Sequence, residues 1–83
     1  MGRQELSSEI TDFCIEYGII KNSQDVVIEK RKIEEYLEYG WFVEHLIQTL
    51  LLKTKYIKGI DNKRLKKLLA ELEKLRLELG YDE

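Results

Sequence analysis

Apolar residues recur at steps of three and four positions along most of this 83-residue chain. That spacing places them on one face of a helix that turns by about 100° per residue. No proline interrupts the pattern, which is clearest near 7–17, 23–38, 42–58 and 62–79. The sequence therefore predicts an all-α protein, a small bundle of four short helices that forms one domain over residues 1–83.

Glycines mark the predicted helix ends. Gly18, Gly40, Gly59 and Gly80 each precede an apolar residue. This order is typical of a helix C-terminus at which a glycine takes the left-handed conformation and the next side chain packs back on the last turn of the helix. Gly40 allows a second interpretation, because the apolar spacing continues across it over residues 33–57. A glycine inside a helix costs only about 1 kcal/mol relative to alanine. The second and third helices are therefore either separate or one long helix, which would leave three helices.

Short polar residues mark three of the predicted helix starts. Ser7 or Ser8 can open the first helix. Asn22, with Asp25 three positions later, resembles a capping box ahead of the second helix. Asp61 is a suitable N-cap for the fourth helix, because its carboxylate can accept a hydrogen bond from a free backbone N–H.

The first and fourth predicted helices each present one apolar face. The face of the fourth is a narrow row of leucines, which suits packing against a single neighbouring helix. That neighbour is either in the same chain or in a second copy. The face of the first helix consists of Leu6, Ile10, Phe13 and Tyr17, and that of the fourth of Leu65, Leu68, Leu72, Leu75 and Leu79.

The third predicted helix differs because it is apolar on two sides. Such a helix has to be covered on both sides, and a chain this short offers few neighbours. Either it is the centre of the bundle, or its second side binds a partner, for which Trp and Tyr are favoured residues. The first side consists of Phe42, Val43, Leu46, Ile47, Leu50 and Ile57, and the second, here called the mixed stripe, of Trp41, His45, Gln48, Leu52 and Tyr56.

Charge is unevenly distributed, although the formal net charge is only −2. Half of the 14 basic residues, but only one of the 16 acidic residues, lie between Lys53 and Lys67. Lysines at the end of the third helix suit the helix dipole, whereas basic residues at the start of the fourth oppose it. These basic residues either pair with acidic residues of the chain, such as the block at 34–44, or bind an anionic partner. The basic corner consists of Lys58, Lys63, Arg64, Lys66 and Lys67.

Residues suited to catalysis or metal binding are scarce. The chain has one histidine and one cysteine, and it contains no HExxH, CxxC or ExxH motif and no glycine-rich phosphate loop. Those motifs supply the ligands and nucleophiles of the commonest metal and nucleotide sites. We therefore expect no enzymatic activity, no metal, no cofactor and no small-molecule substrate.

Composition bears on the compartment. With 43% hydrophobic and 36% charged residues the chain is too apolar for a disordered segment. Its longest apolar stretch, residues 46–52, is far shorter than the roughly 20 residues of a membrane span. The N-terminal residues lack the apolar segment of a signal peptide, and the single cysteine, Cys14, forms no internal disulfide. We therefore expect a cytoplasmic protein with no membrane partner.

These features predict a small helical regulator, adaptor or inhibitor. It would bind another protein, or a second copy of itself, through the mixed stripe and the basic corner. The alternative is DNA binding, in which the third and fourth helices form a helix-turn-helix through the turn at residues 58–62. Against this alternative, Lys55 lies four residues before Gly59, where a helix-turn-helix requires a small residue.

Overall fold

The protein is a bundle of four helices. The computed structural model describes residues 2–19 and 23–80, and over 23–29 it describes the backbone only. Within those ranges there is no strand, so the predicted all-α bundle is confirmed. The helices are α1 (Arg3–Glu16), α2 (Ser23–Tyr36), α3 (Gly40–Thr54) and α4 (Asn62–Leu79). Helix α1 packs against α2, and α3 packs against α4, while contact between α1 and α4 joins the two pairs.

A single apolar core lies between the helices. The predicted faces of α1 and α4 both lie in it, so the leucine face of α4 is covered within the chain. The end of α2 and one side of α3 complete the core. Its buried members are Leu6, Ile10, Phe13, Cys14, Ile33, Leu37, Val43, Ile47, Leu50, Leu68, Leu72 and Leu75.

The first helix begins earlier than its serines predict. It starts at Arg3. Ser7 therefore lies inside the helix, where it is buried, and its hydroxyl donates to the carbonyl of Gln4 at 3.0 Å instead of capping a free N–H. The second helix begins where predicted, at Ser23. The capping box proposed for Asn22 and Asp25 lies outside the described side chains.

The break between α2 and α3 is confirmed, but Gly40 does not cause it. Positive φ angles occur at the three other predicted helix stops, whereas Gly40 is the first residue of α3. The chain turns over residues 37–39 instead. There the side chain of Leu37 is fully buried in the core, and Tyr39 takes an extended conformation with φ −108° as the N-cap of α3. The burial of Leu37 thus explains the position of the turn better than the glycine does.

The third helix ends at Thr54, earlier than predicted. The buried Thr54 hydroxyl donates to the carbonyl of Leu50 at 2.5 Å, a bond that a helical threonine makes to the preceding turn. Lys55 is therefore the C-cap of α3, and Lys58 lies farther along in the connection between α3 and α4. Gly59, with φ +73°, turns the chain inside this connection.

The start of α4 is held against α1. The carboxylate of Asp61 accepts a hydrogen bond from the backbone N–H of Arg64 at 3.1 Å, which confirms the predicted N-cap. The Asp61 N–H in turn donates to the hydroxyl of Tyr17 at 2.9 Å. Tyr17 packs on Phe13 with 4.8 Å between ring centroids, so the cap of α4 is linked directly to the core face of α1.

Leu72 and Leu77 offer a matched test of this core, because both are leucines of α4. Leu72 is fully buried and Leu77 is 70% exposed. We expect Leu72→Ala to lower the free energy of unfolding by about 2–5 kcal/mol through lost burial and a new cavity. Leu77→Ala should change it by less than about 0.5 kcal/mol. Urea titration followed by circular dichroism measures both, and equal effects would contradict the assigned core.

Burial raises the pKa of the Cys14 thiol from its ordinary value of 9.0 to about 11. The folded state therefore favours the protonated thiol, and this contribution to stability is complete below pH 9 and is lost as the pH rises through 11. We expect stability to fall more steeply over that interval in the wild type than in Cys14→Ala. We also expect Ellman's reagent at pH 8 to label Cys14 slowly until urea unfolds the chain. Rapid labelling of the folded protein would contradict the buried thiol.

Candidate functional site

The third helix buries one side and exposes the other. Val43, Ile47 and Leu50 lie in the core. On the opposite side the mixed stripe is in contact with water over its whole length: Trp41 is 53% exposed, Leu52 63% and Tyr56 79%, and His45 and Gln48 are exposed as well. The interpretation of α3 as a central helix covered on both sides is therefore wrong.

Aromatic residues gather at the end where α2 meets α3. The ring centroids of Tyr36 and Phe42 lie 5.3 Å apart in an edge-to-face arrangement. The centroid of the Trp41 ring lies 6.1 Å from the ring centroids of both Tyr36 and Tyr39. These separations are typical of favourable aromatic pairs. Phe42 packs against the core, while the other three rings are exposed. We call these four residues the aromatic cluster.

Sequence reasoning missed Tyr36 and Tyr39 as part of this surface. Helical periodicity assigns residues to faces of one helix, whereas the aromatic cluster combines the end of α2, the turn and the start of α3. Four aromatic residues within residues 36–42 were the available signal. Their proximity follows only once the turn at residues 37–39 is known.

A second apolar patch lies at the other end of α3. Leu51, which is 53% exposed, and Leu52 are exposed in the last turn of α3, and Tyr56 is exposed two residues beyond its end. Leu51 was also missed, because it belongs to neither side of the predicted helix although it follows Gln48 by three positions. The Lys55 Nζ lies 5.7 Å from the centroid of the Tyr56 ring, within cation–π distance. We call Leu51, Leu52 and Tyr56 the leucine–tyrosine patch.

Polar side chains separate the two apolar ends. The Gln48 Nε2 donates to the Glu44 Oε1 at 3.2 Å, beside the exposed His45. The other Glu44 oxygen lies 3.4 Å from the Nε of Arg76 on α4. That contact is an ion pair and not a hydrogen bond, because the buried Nε has no hydrogen-bond partner in the described chain. The mixed stripe, the aromatic cluster and the leucine–tyrosine patch together form what we call the exposed face of α3.

The basic corner divides into one engaged residue and four lysines. Arg64 pairs with Glu16 of α1 at 2.7 Å and lies 5.5 Å from the centroid of the Phe13 ring. The hydrogen bond that the Arg64 guanidinium donates to the Glu16 carboxylate raises the pKa of Arg64 above its ordinary value. Internal pairing thus accounts for Arg64, with a carboxylate outside the predicted acidic block. The exposed lysines, which pair with none of the described carboxylates, are Lys58, Lys63, Lys66 and Lys67.

The connection between α3 and α4 differs from that of a helix-turn-helix. It covers residues 55–61, whereas the DNA-binding motif joins its helices through a turn of about three to four residues. The side chain of Lys55 is exposed in this connection, and its Nζ lies over the ring of Tyr56. These features count against close packing of the two helices at the turn.

Two grooves lie away from the exposed face of α3. Their volumes are about 200 Å³ and 460 Å³. Ligand pockets are mostly lined by apolar side chains, whereas both grooves here are lined largely by charged and polar ones. The first is lined by Gly2, Arg3, Leu6, Glu71, Lys74, Leu75 and Glu78, and the second by Gln4, Glu5, Ser8, Glu9 and Lys30.

Within residues 2–19 and 23–80, none of the four helices combines the length and the apolar composition that crossing a membrane requires. In the same ranges, no group of three or more His, Cys, Asp and Glu side chains is placed to hold a metal ion. Comparisons of the chain with protein-family models, with curated proteins and with solved structures found no match.

Proposed function

We propose that the chain is a small, non-enzymatic regulator, adaptor or inhibitor that acts by binding a protein through the exposed face of α3. The observation that carries the proposal is the exposure of Trp41 and Leu52 on a helix whose opposite side is buried, continued by the exposed Tyr56 just beyond the end of that helix. Single exposed apolar residues are ordinary on protein surfaces. A row of them along one helix, joined to an aromatic cluster, is typical of a binding surface.

Covering this face supplies part of the free energy of binding. Complete burial of an apolar side chain contributes about 1.5–3 kcal/mol, and Trp41, Leu52 and Tyr56 have 53%, 63% and 79% of their surface still to bury. Burying them and the neighbouring rings offsets part of an association cost of about 4–15 kcal/mol. The polar middle, with His45 and Gln48, supplies hydrogen-bonding groups that fix the register of a partner.

The basic corner gives this surface a charged border. Its exposed lysines continue from the leucine–tyrosine patch into the start of α4. Charges at the rim of an interface mainly raise the rate of association with an oppositely charged partner, and salt weakens the effect. We therefore propose a partner that is acidic where it meets this end of α3. A reducing, cytoplasmic compartment suits the buried free thiol of Cys14.

DNA binding is the second candidate, favoured by the four exposed lysines of the basic corner. Lysines at the start of a helix can contact phosphates. The long connection at residues 55–61 and the engagement of Arg64 by Glu16 weigh against this candidate. It also assigns no role to the aromatic cluster.

Protein capture tests the leading proposal. Leu52→Ser/Tyr56→Ser changes two exposed residues of the face, and Leu77→Ser is the matched control because it removes an exposed leucine of α4. From a lysate of the source organism, we expect immobilised wild type and control to retain the same partner and the double variant to retain at least about tenfold less, as for residues central to an interface. Quantitative mass spectrometry measures the retention. Equal retention by the double variant would overturn the proposal, with urea unfolding used to confirm that all three chains are folded.

A salt titration tests the DNA candidate. If the four lysines contact phosphates, the affinity for a mixed-sequence duplex should fall with salt on a log–log slope of about −3 to −4. Lys63→Ala/Lys66→Ala should reduce that slope by about two, whereas Lys74→Ala, an exposed lysine later on α4, should leave it unchanged. Fluorescence anisotropy of a labelled duplex measures the affinity. Absence of binding at low salt would exclude the candidate.

A further inference from the structure

We propose that the occupant of the exposed face of α3 is a second copy of the chain, with the two α3 helices antiparallel. This inference rests on the proposed function, because it names the partner of the same surface. In a symmetric dimer both copies use the same residues about a twofold axis. The exposed face therefore has to be complementary to itself when it is turned end to end.

The order of residues along α3 meets that requirement. A twofold axis immediately after Gln48 places Trp41 of one copy opposite Tyr56 of the other, and the same axis places His45 opposite Leu52. Trp41 in the aromatic cluster of each copy then covers Tyr56 of its partner, and the same symmetry operation makes this contact at both ends of the dimer. His45 covers the apolar Leu52 of the partner, while the two Gln48 side chains lie next to the axis.

Charge follows the same end-to-end order. Glu35 and Glu38 are exposed beside the aromatic cluster, and Lys55 and Lys58 are exposed beside the leucine–tyrosine patch. Exposed Lys32 and Arg31 precede Glu35 by three and four positions, and they are farther from α3 along the chain than either glutamate. In the antiparallel dimer Glu35 and Glu38 of each copy therefore face Lys55 and Lys58 of the other. The complement of the basic corner is thus available on the chain itself.

A parallel arrangement lacks these advantages. It would place acidic end against acidic end and basic end against basic end, and like charges brought together at an interface are destabilising. It would also align the two helix dipoles, whereas antiparallel helices place each positive end near a negative one. Charge and dipole therefore select the same orientation as the apolar patches.

The size of the surface sets the expected affinity. The 15 residues of α3 extend over about 22 Å. We expect one helix face of this length, with its flanking rings, to bury less than the roughly 800 Å² per partner of a standard stable interface. We therefore expect weak and reversible association, with a dissociation constant on the order of tens of micromolar, which corresponds to about −6 to −7 kcal/mol.

Sedimentation equilibrium of the full chain from about 1 to 500 µM tests for the dimer, a range chosen to bracket the expected affinity. We expect the mass to rise from monomer to dimer and the emission of Trp41, the single tryptophan, to shift to shorter wavelength over the same range. Leu52→Ser/Tyr56→Ser should abolish both changes, and Leu77→Ser should preserve them. A wild type that stays monomeric throughout would overturn the inference.

Charge reversal tests the orientation. Glu35→Lys/Glu38→Lys and Lys55→Glu/Lys58→Glu should each weaken dimerisation by about tenfold or more, because each makes both ends of the dimer alike in charge. Combining all four changes in one chain restores opposite charges at both ends, so dimerisation should return. In a parallel dimer the two charge-reversal variants and the combined variant all bring like charges together, so the combined variant would not recover dimerisation. Failure of the combined variant to recover would overturn the antiparallel arrangement.

Failure of this inference is distinguishable from failure of the proposed function. A monomeric wild type that still loses lysate capture on Leu52→Ser/Tyr56→Ser overturns only the second copy as occupant, because the face then binds a different protein. Capture and sedimentation that are both insensitive to these substitutions overturn the inference and the proposed function together. Dimerisation that resists the substitutions while capture responds overturns the inference alone.

Discussion

The exposure of one side of α3 follows from how little of a helix a single neighbour can cover. A helix buries the side that faces its neighbour, and α4 is the principal neighbour of α3. Because α3 is apolar around most of its circumference, pairing with α4 leaves Trp41, Leu52 and Tyr56 in water while Val43 and Leu50 enter the core. The surplus apolar surface is thus a consequence of the way the helices pair, α1 with α2 and α3 with α4.

Periodicity and capping chemistry predicted the features that depend on local sequence. The four helices, the Asp61 cap and the core faces of α1 and α4 follow from spacing and residue type alone. They are local because a helix face and an N-cap are each set within one or two turns. The exposure of the mixed stripe is different in kind. Spacing identified two apolar sides of the third helix, but only the position of its neighbours decides which one is covered.

Several errors involve contacts that the sequence of one helix does not contain. The turn between α2 and α3 lies at Leu37, which is buried in the core, and the glycine expected to mark the turn is helical. Arg64 opposes the dipole of α4, yet its partner, Glu16, lies on α1, 48 positions away. A sequence read one helix at a time cannot pair these two residues. The aromatic cluster is close in sequence, but it was missed because its members come from two helices and the turn between them.

The arrangement separates the residues that form the core from those that form the proposed binding surface. Among the side chains that the structure describes, all twelve buried apolar residues lie outside the mixed stripe, so the core would be unchanged if Leu52 or Tyr56 were polar. Folding alone would favour charged residues there, because they keep a helix surface solvated and discourage association. The exposure of leucine and tyrosine to water instead costs free energy, and that free energy is recovered only when another molecule covers the face. Folding therefore does not explain the composition of this side of α3, whereas the proposed binding surface does.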